Sequence, residues 1–272
     1  MLRYPDIDPV AVHLGPLQVH WYGVMYVVGF FAASLLARRR AARPGSGWQT
    51  KDVDDLLFWT MLGGILGGRI GYVLVYGLSF WSGDPLYPFK IWQGGMSFHG
   101  GIVGGLSAMA LFAWRRRRPM LDVMDFIGPL PGLGVMAVRI GNFINSELWG
   151  KPTDVPWGFL VQVVPGAAPE VRHASQLYEA VLEGLLWFVI VWWFSAKPRP
   201  RGAVAGLALL WYGSARFVAE FLRLPDAQIG YLAGGWLTMG QVLSLPLIAA
   251  GLVLLARAYT SGGSRQDAAT RA

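Results

Sequence analysis

Seven apolar stretches, each close to the roughly 20 residues needed to cross a hydrocarbon core, dominate this 272-residue chain. They lie near 17–37, 56–76, 95–114, 120–138, 176–195, 202–221 and 237–256. In hydrocarbon every backbone N–H and C=O must be satisfied within the protein, so stretches of this length fold as helices. Composition agrees: 54% of residues are hydrophobic, only 14% are charged, and the mean hydropathy is +0.42. That balance excludes a disordered chain and argues against an enzyme with a fully solvated surface. The sequence predicts an all-α polytopic membrane protein with seven transmembrane helices. The first stretch follows Asp6 and Asp8, not a basic leader, and no small-residue cleavage site follows it, so it reads as a retained helix.

Charge between the stretches supplies a direction. Arg38, Arg39, Arg40, Arg43 and Lys51 follow the first stretch, Arg115 to Arg118 the third, and Lys197, Arg199 and Arg201 the fifth. Arg257, Arg265 and Arg271 follow the last. The other side carries Arg3, Lys90, Lys151, Arg172 and Arg223. By the positive-inside rule the N-terminus faces outward and the C-terminus faces the cytoplasm. The net charge of +7 therefore reads as a topology signal, not a nucleic-acid footprint.

One connection is long. Residues 139–175, on the outer side, include Pro152, Pro156, Pro165 and Pro169, and the run from Trp157 to Val164 has strand character. This segment reads as a small outward-facing head between spans four and five. The membrane domain then covers 1–259, and the polar residues 260–272 read as a disordered cytoplasmic tail. Glycines recur every fourth residue at Gly63, Gly67 and Gly71, at Gly64 and Gly68, at Gly100 and Gly104, and at Gly101 and Gly105. Small residues at that spacing let helix backbones approach closely in lipid.

The chain has no cysteine, which excludes thiolate catalysis and thiolate-bound metal by its own residues. Four scattered histidines do not suggest a metal site. The chemistry must rest on ionisable groups near or within the membrane, each costly enough there to be a functional candidate. Arg69 interrupts the second span, as an ion-pair partner, an interface residue or a direct participant. Asp122 and Asp125 suit the start of a helix. Arg216, Glu220 and Arg223 share one helical face near the outer end of span six. Two arginines against one carboxylate leave a surplus positive charge, and arginine's planar fork suits a phosphate.

The densest polar cluster runs from Arg139 through Gly141, Asn142, Asn145 and Glu147 to Gly150, at the outer end of span four. An arginine backed by amide donors makes a phosphate cradle, with Glu147 orienting the cationic groups. Among the histidines, His13 reads as a surface residue, His20 as part of an aromatic interface anchor, and His173 as a helix-entry residue. His99, followed by Gly100 and Gly101, lies at the same expected depth as Arg139 and is a candidate base for a thiol or hydroxyl. The alternative is that His99 only fixes lipid or helix geometry, with the arginines supplying the positive charge that would favour a deprotonated nucleophile.

At these residues the chain resembles the bacterial prolipoprotein diacylglyceryl transferases. The family signature Gly-Arg-x-Gly-Asn-Phe-x-Asn-x-Glu-x-x-Gly is met from Arg139 to Gly150, with Val138 in place of the leading glycine. Supporting motifs are Trp21-Tyr22-Gly23, Gly95-Met-Ser-Phe-His99-Gly-Gly101, His173-x-Ser-Gln-Leu-Tyr178-Glu179 and Arg216-x-x-x-Glu220-x-x-Arg223. Ala174 stands where proline is expected. The resemblance implies transfer of the diacylglyceryl group of phosphatidylglycerol to the lipobox cysteine of a preprolipoprotein. A thioether forms and glycerol phosphate is released on the outer face of the bacterial inner membrane, with no cofactor required. It implies His99, Arg139 and Arg216 as catalytic residues. Tyr22, Asn142, Glu147, Gly150, Glu220 and Arg223, with Arg139, are then substrate-binding. A rival reading from the spans and buried arginines is a secondary transporter or flippase for an anionic lipid. The missing internal repeat, and polar groups gathered at one face, speak against it.

Overall fold

The computed structural model describes residues 1–5, 7–15, 17–163, 166–225 and 229–270. Asp6, Val164, Pro165 and Arg271 fall outside the described residues, and with them the end of the expected 157–164 strand and the last part of the 260–272 tail. The fold is mostly helical: α1 Trp21–Ala41, α2 Thr50–Tyr76, α3 Phe98–Arg115, α4 Met120–Ile127, α5 Pro131–Ile144, α6 Ser175–Phe194, α7 Ala203–Ala219 and α8 Met239–Thr270. Among them α1, α2, α6 and the Met239–Thr260 part of α8 are long and apolar enough to cross a membrane. The pair α4 and α5, bent by 48°, would make a fifth as one broken span. Helix α7, with 17 residues, is shorter, and the apolar character of α3 is diluted by His99 and its glycines. Large side chains such as Trp114 and Trp193 are 74% and 75% exposed, as expected of a surface that meets lipid.

Among the described residues two small sheets accompany the helices. Strands β2 Val10–Leu14 and β3 Leu17–His20 form an antiparallel hairpin, so the first apolar stretch enters its helix at Trp21, not at residue 17. Alternating apolar residues and Gly15 at φ +62° favour that hairpin over another helical turn. Strand β1 Leu2–Arg3 pairs in parallel with β4 Phe159–Val161, which pairs antiparallel with β5 Glu170–Arg172. Trp149, Val161 and Ala174 are the buried centre of this sheet's core, with Tyr4, Phe143 and Phe159 packed around them.

The chain forms two compact units, residues 1–35 with 124–272, and residues 36–123. In the second, α2 and α3 pack glycine to glycine. A Cβ on Gly67 would lie 2.4 Å from the Gly100 carbonyl oxygen, and one on Gly104 would lie 2.1 Å from that of Gly63. In the first, Gly132 of α5 meets Gly184 of α6, where a Cβ on Gly132 would lie 2.7 Å from the Gly184 oxygen. Asp125 starts a helix other than its own: its carboxylate accepts from Gly202 N at 2.6 Å and Ala205 N at 2.8 Å, capping α7. The proline-rich run Gly128-Pro129-Leu130-Pro131 accounts for the break between α4 and α5, because proline contributes no N–H to a continuing helix.

The glycine seam yields a test. Gly104→Ala must push two backbones apart, at an overpacking cost of about 1–3 kcal/mol, and should lower the thermal unfolding midpoint in detergent. Gly83→Ala, whose Cβ meets nothing within 4 Å, should leave it unchanged.

Candidate active site

The site is built from α5, α6 and α7, and from the turns that follow α5 and α7. The last two turns of α5 carry Arg139 and Asn142, and Tyr22 of α1 packs on Gly141 between them, where a Cβ would lie 3.3 Å from the ring. Helix α5 then ends in a contorted turn: Ser146 and Leu148 have φ of +53° and +60°, a left-handed conformation that costs a non-glycine residue on the order of 1–2 kcal/mol. The turn presents Glu147, whose carboxylate accepts from Asn142 Nδ2 at 2.7 Å. Asn142 Oδ1 in turn accepts from Arg139 Nη1 at 3.4 Å. Tyr4 secures the turn's start, its hydroxyl donating to the carbonyls of Phe143 and Ile144 at 2.8 Å each.

Two carboxylates that carried no role in the sequence reading occupy the centre. Glu179 and Glu183 are four residues apart on α6 and wholly buried. The middle turn of that helix, Ala180–Leu185, is π-helical, a widening often found at functional sites. Arg139 Nη2, Arg216 Nη1 and Arg223 Nη1 reach Glu179 Oε2 at 2.8, 3.0 and 2.8 Å. Glu183 lies 3.4 Å from Arg216 Nη1 and 3.8 Å from Arg139 Nη2. Glu220 Oε1 forms ion pairs with Arg216, 2.5 Å from Nη2, and with Arg223, 3.1 Å from Nε. Its other oxygen accepts from Thr238 Oγ1 at 2.7 Å, at the entrance to α8.

The surplus positive charge expected from Arg216 and Arg223 against Glu220 alone is therefore absent. Three guanidinium groups face three buried carboxylates. The signal that could have shown this was available, since two glutamates four apart in a membrane span form one acidic stripe that must be paired. The exposure is asymmetric. The side chains of Arg139, Arg216 and Arg223 are 19%, 18% and 12% accessible, whereas Glu179 and Glu183 are at 1% and 0%. The carboxylates form a floor and the arginines its accessible face. No described residue claims the Nε–H of Arg139 or of Arg216.

Gly150 is a passage point: a Cβ there would lie 2.5 Å from the Leu222 carbonyl oxygen and 3.0 Å from His173 Cβ. Its N–H donates to the His173 carbonyl at 2.9 Å, joining the end of the polar cluster to the start of α6. The His173 ring shares a hydrogen bond with the Tyr178 hydroxyl at 3.2 Å, and burial holds its pKa below the ordinary histidine value. The motif position Ala174, buried, serves as N-cap of α6 at φ −79° and ψ 71°. His99 belongs to the other compact unit. It is exposed on the first turn of α3, with the Phe98 ring centroid 5.9 Å away.

A family model described as prolipoprotein diacylglyceryl transferase matches residues 9–257. The phosphatidylglycerol–prolipoprotein diacylglyceryl transferase of Nitratidesulfovibrio vulgaris is 56% identical over 257 residues, covering 94% of this chain and 96% of its own. The protein of the same name from Pseudomonas aeruginosa is 52% identical over 269 residues, covering 99% of this chain and 100% of its own.

The shared counter-ion can be tested by substitution. Glu179→Gln leaves buried guanidinium groups uncompensated and should cost about 3–5 kcal/mol of stability, seen as a lower unfolding midpoint. Glu170→Gln removes an exposed partner of Arg172 and should change it by less than about 0.5 kcal/mol.

Proposed function

The chain belongs to the prolipoprotein diacylglyceryl transferase family, and from that membership we propose how its own residues carry out the transfer. The substrates are phosphatidylglycerol and the lipobox cysteine of a preprolipoprotein. The observation that carries the reading is the set of three part-exposed arginines held from beneath by buried glutamates. The cysteine sulfur attacks C3 of the glyceryl group, the S–C3 thioether forms, and the C3–O bond to phosphate breaks. The electron pair leaves on the phosphate ester oxygen of glycerol phosphate, and the thiol proton goes to a base.

Arg139 and Arg216 meet the phosphate with the donors that the glutamates leave unused. Because Glu179, Glu183 and Glu220 already fix the forks, those donors need little reorganisation as charge develops, which is the condition for effective electrostatic catalysis. The same carboxylates keep the cluster from being a trap: formally balanced charge lets the anionic product leave. Arg223 and Glu220 extend the cradle outward, Asn142 and Glu147 orient Arg139, Tyr22 binds lipid beside them, and Gly150 keeps the cradle's backbone narrow. His99 takes the thiol proton.

The topology proposed with this mechanism has seven crossings, α1, α2, α3, the bent pair α4 and α5, α6, α7 and α8, in the bacterial inner membrane. The N-terminus lies outside and the C-terminus in the cytoplasm. Residues 1–259 act as one transferase domain whose segment 139–175 is an outward head beside the active site, and 260–272 form a cytoplasmic tail. What supports the direction is the basic residues gathered after α1, α3, α6 and α8.

The direct test incubates the purified protein in detergent with phosphatidylglycerol and a peptide carrying one lipobox cysteine, then weighs the peptide. A diacylglyceryl-sized gain is expected, absent when that cysteine is serine. No adduct from folded protein would transfer the weight to lipid transport. Arg139→Gln should lower turnover by on the order of 10²–10³ while the protein stays folded. His99→Gln activity should recover as pH rises toward the reference thiol pKa of about 8.5, where thiolate forms without a base. A flat loss across that range would assign His99 a structural role.

A further inference from the structure

We infer that Arg69 is a positioning residue for His99, clamping the backbone that delivers α3 and so setting where the histidine stands. Its functional half rests on the proposed role of His99 as base. Arg69 lies deep in α2 and is 3% exposed, yet no described carboxylate pairs with it. All five of its N–H donors go to backbone carbonyls of one loop. Nε donates to Pro88 at 3.0 Å, Nη1 to Gly94 and Gly95 at 2.5 and 3.1 Å, and Nη2 to Tyr87 and Lys90 at 2.6 and 3.1 Å. The Tyr87 ring lies under the guanidinium at 4.8 Å. The one lysine of the loop, Lys90, is taken by Asp84, which holds that carboxyl below the usual range.

An arginine so saturated has no donor left for a substrate. What it controls is the path of residues 87–95, and that path ends at His99 after a very short run. Gly94 and Gly95 take φ of +77° and +84°, and Gly95 lies so close to Tyr72 that a Cβ would sit 2.3 Å from its ring. Ser97 N then donates to the carbonyl of Gly68, the residue beside Arg69, at 2.8 Å. The Ser97 side chain caps α3 by accepting from Gly100 N at 3.1 Å. The backbone is thus referenced to α2 at Gly95 and again at Ser97, and His99 follows two residues later. Below it the glycine seam holds α3 against the same helix. Misplacing a catalytic group by about 1 Å can cost on the order of 10²-fold in rate, so a clamp on this scale is a rate-setting device.

Lysine keeps the charge but has three donors on a point, not five in a planar fork, so Arg69→Lys leaves carbonyls unserved. The expected result is a fall in kcat of about tenfold, with KM for phosphatidylglycerol within about twofold, as follows from a group misplaced by less than the 1 Å case. Amide hydrogen exchange should quicken in 87–97 and stay unchanged in 203–219. The decisive comparison is the pair of substitutions: in a His99→Gln background, Arg69→Lys should add less than about a twofold further loss, since the group it positions is gone. A full, independent loss in that background overturns the inference, as does unchanged exchange in 87–97. The two readings fail separately. A fully active His99→Gln overturns the base role, whereas an impaired His99→Gln with an additive Arg69→Lys loss overturns the positioning role alone. Should Arg69→Lys not fold, Tyr87→Leu removes the ring beneath the guanidinium and leaves its carbonyl partners. It should show the same non-additivity at smaller amplitude, and additivity there would overturn the inference equally.

Discussion

Glu179 holds a carboxylate with 1% of its side chain accessible, and what makes that tolerable is three guanidinium groups converging on it from α5, α7 and the turn after α7. Between helices in lipid there is no hydrophobic drive to association, so packing and polar contacts must order the bundle. Here one oxygen, Glu179 Oε2, joins Arg139, Arg216 and Arg223. Glu220 carries the chain of contacts on through Thr238 to α8. Gly132 and Gly184 let α5 and α6 come close enough for the first of these pairs to form. An ion pair of this kind is weak evidence for stability, because desolvation offsets much of the attraction. Its larger effect is on uniqueness: any other arrangement of these helices leaves a charge buried alone.

The small sheet and the strained turn serve that network from outside it. Trp149 and Ala174 sit in one apolar core, so the end of the polar cluster and the start of α6 are set by the same packing. Tyr4, directly after the N-terminal strand, holds the last carbonyls of α5, and the two left-handed residues that follow place Glu147 where Asn142 can reach it. Backbone strain is stored beside the arginine to which the proposed mechanism gives the phosphate, and burial of Trp149, at 4% exposure, holds it there. At the other end of α7, Asp125 satisfies two N-terminal donors of the helix that carries Arg216.

Helix positions were legible because length and apolarity are decided locally, and the helical stretches fall where the apolar runs do. The N-terminal hairpin was not, since four residues, Leu17–His20, are too few for their alternation to stand out at the head of an apolar run, and only pairing with Val10–Leu14 makes them a strand. The Arg139–Gly150 cluster stood out as polar residues crowded at a membrane edge. Glu179 and Glu183 were equally visible, but a carboxylate in a span has meaning only once the helix bearing its partner is known. The same limit applied to Asp125, read as favouring its own helix and found capping another. Partnership between elements is a property of packing, and a single sequence carries it only by implication.

Arg69 and Arg139 show why that matters for chemistry. Both are arginines in apolar helical runs, where charge is costly, and although polar residues crowd only Arg139, the sequence shows for neither which groups take its donors. Arg69 meets the cost with carbonyl dipoles that consume every donor, so its charge is spread into a loop and withheld from any ligand. Arg139 meets it with Glu179 and the Asn142 amide, and 19% of its side chain stays accessible. A guanidinium of the first kind can shape a site, and one of the second kind can work in it. The division follows from donor count: five N–H groups against five carbonyls leave nothing over, while Arg139 keeps an Nε–H that no described residue takes, the donor that the proposed mechanism turns to phosphate.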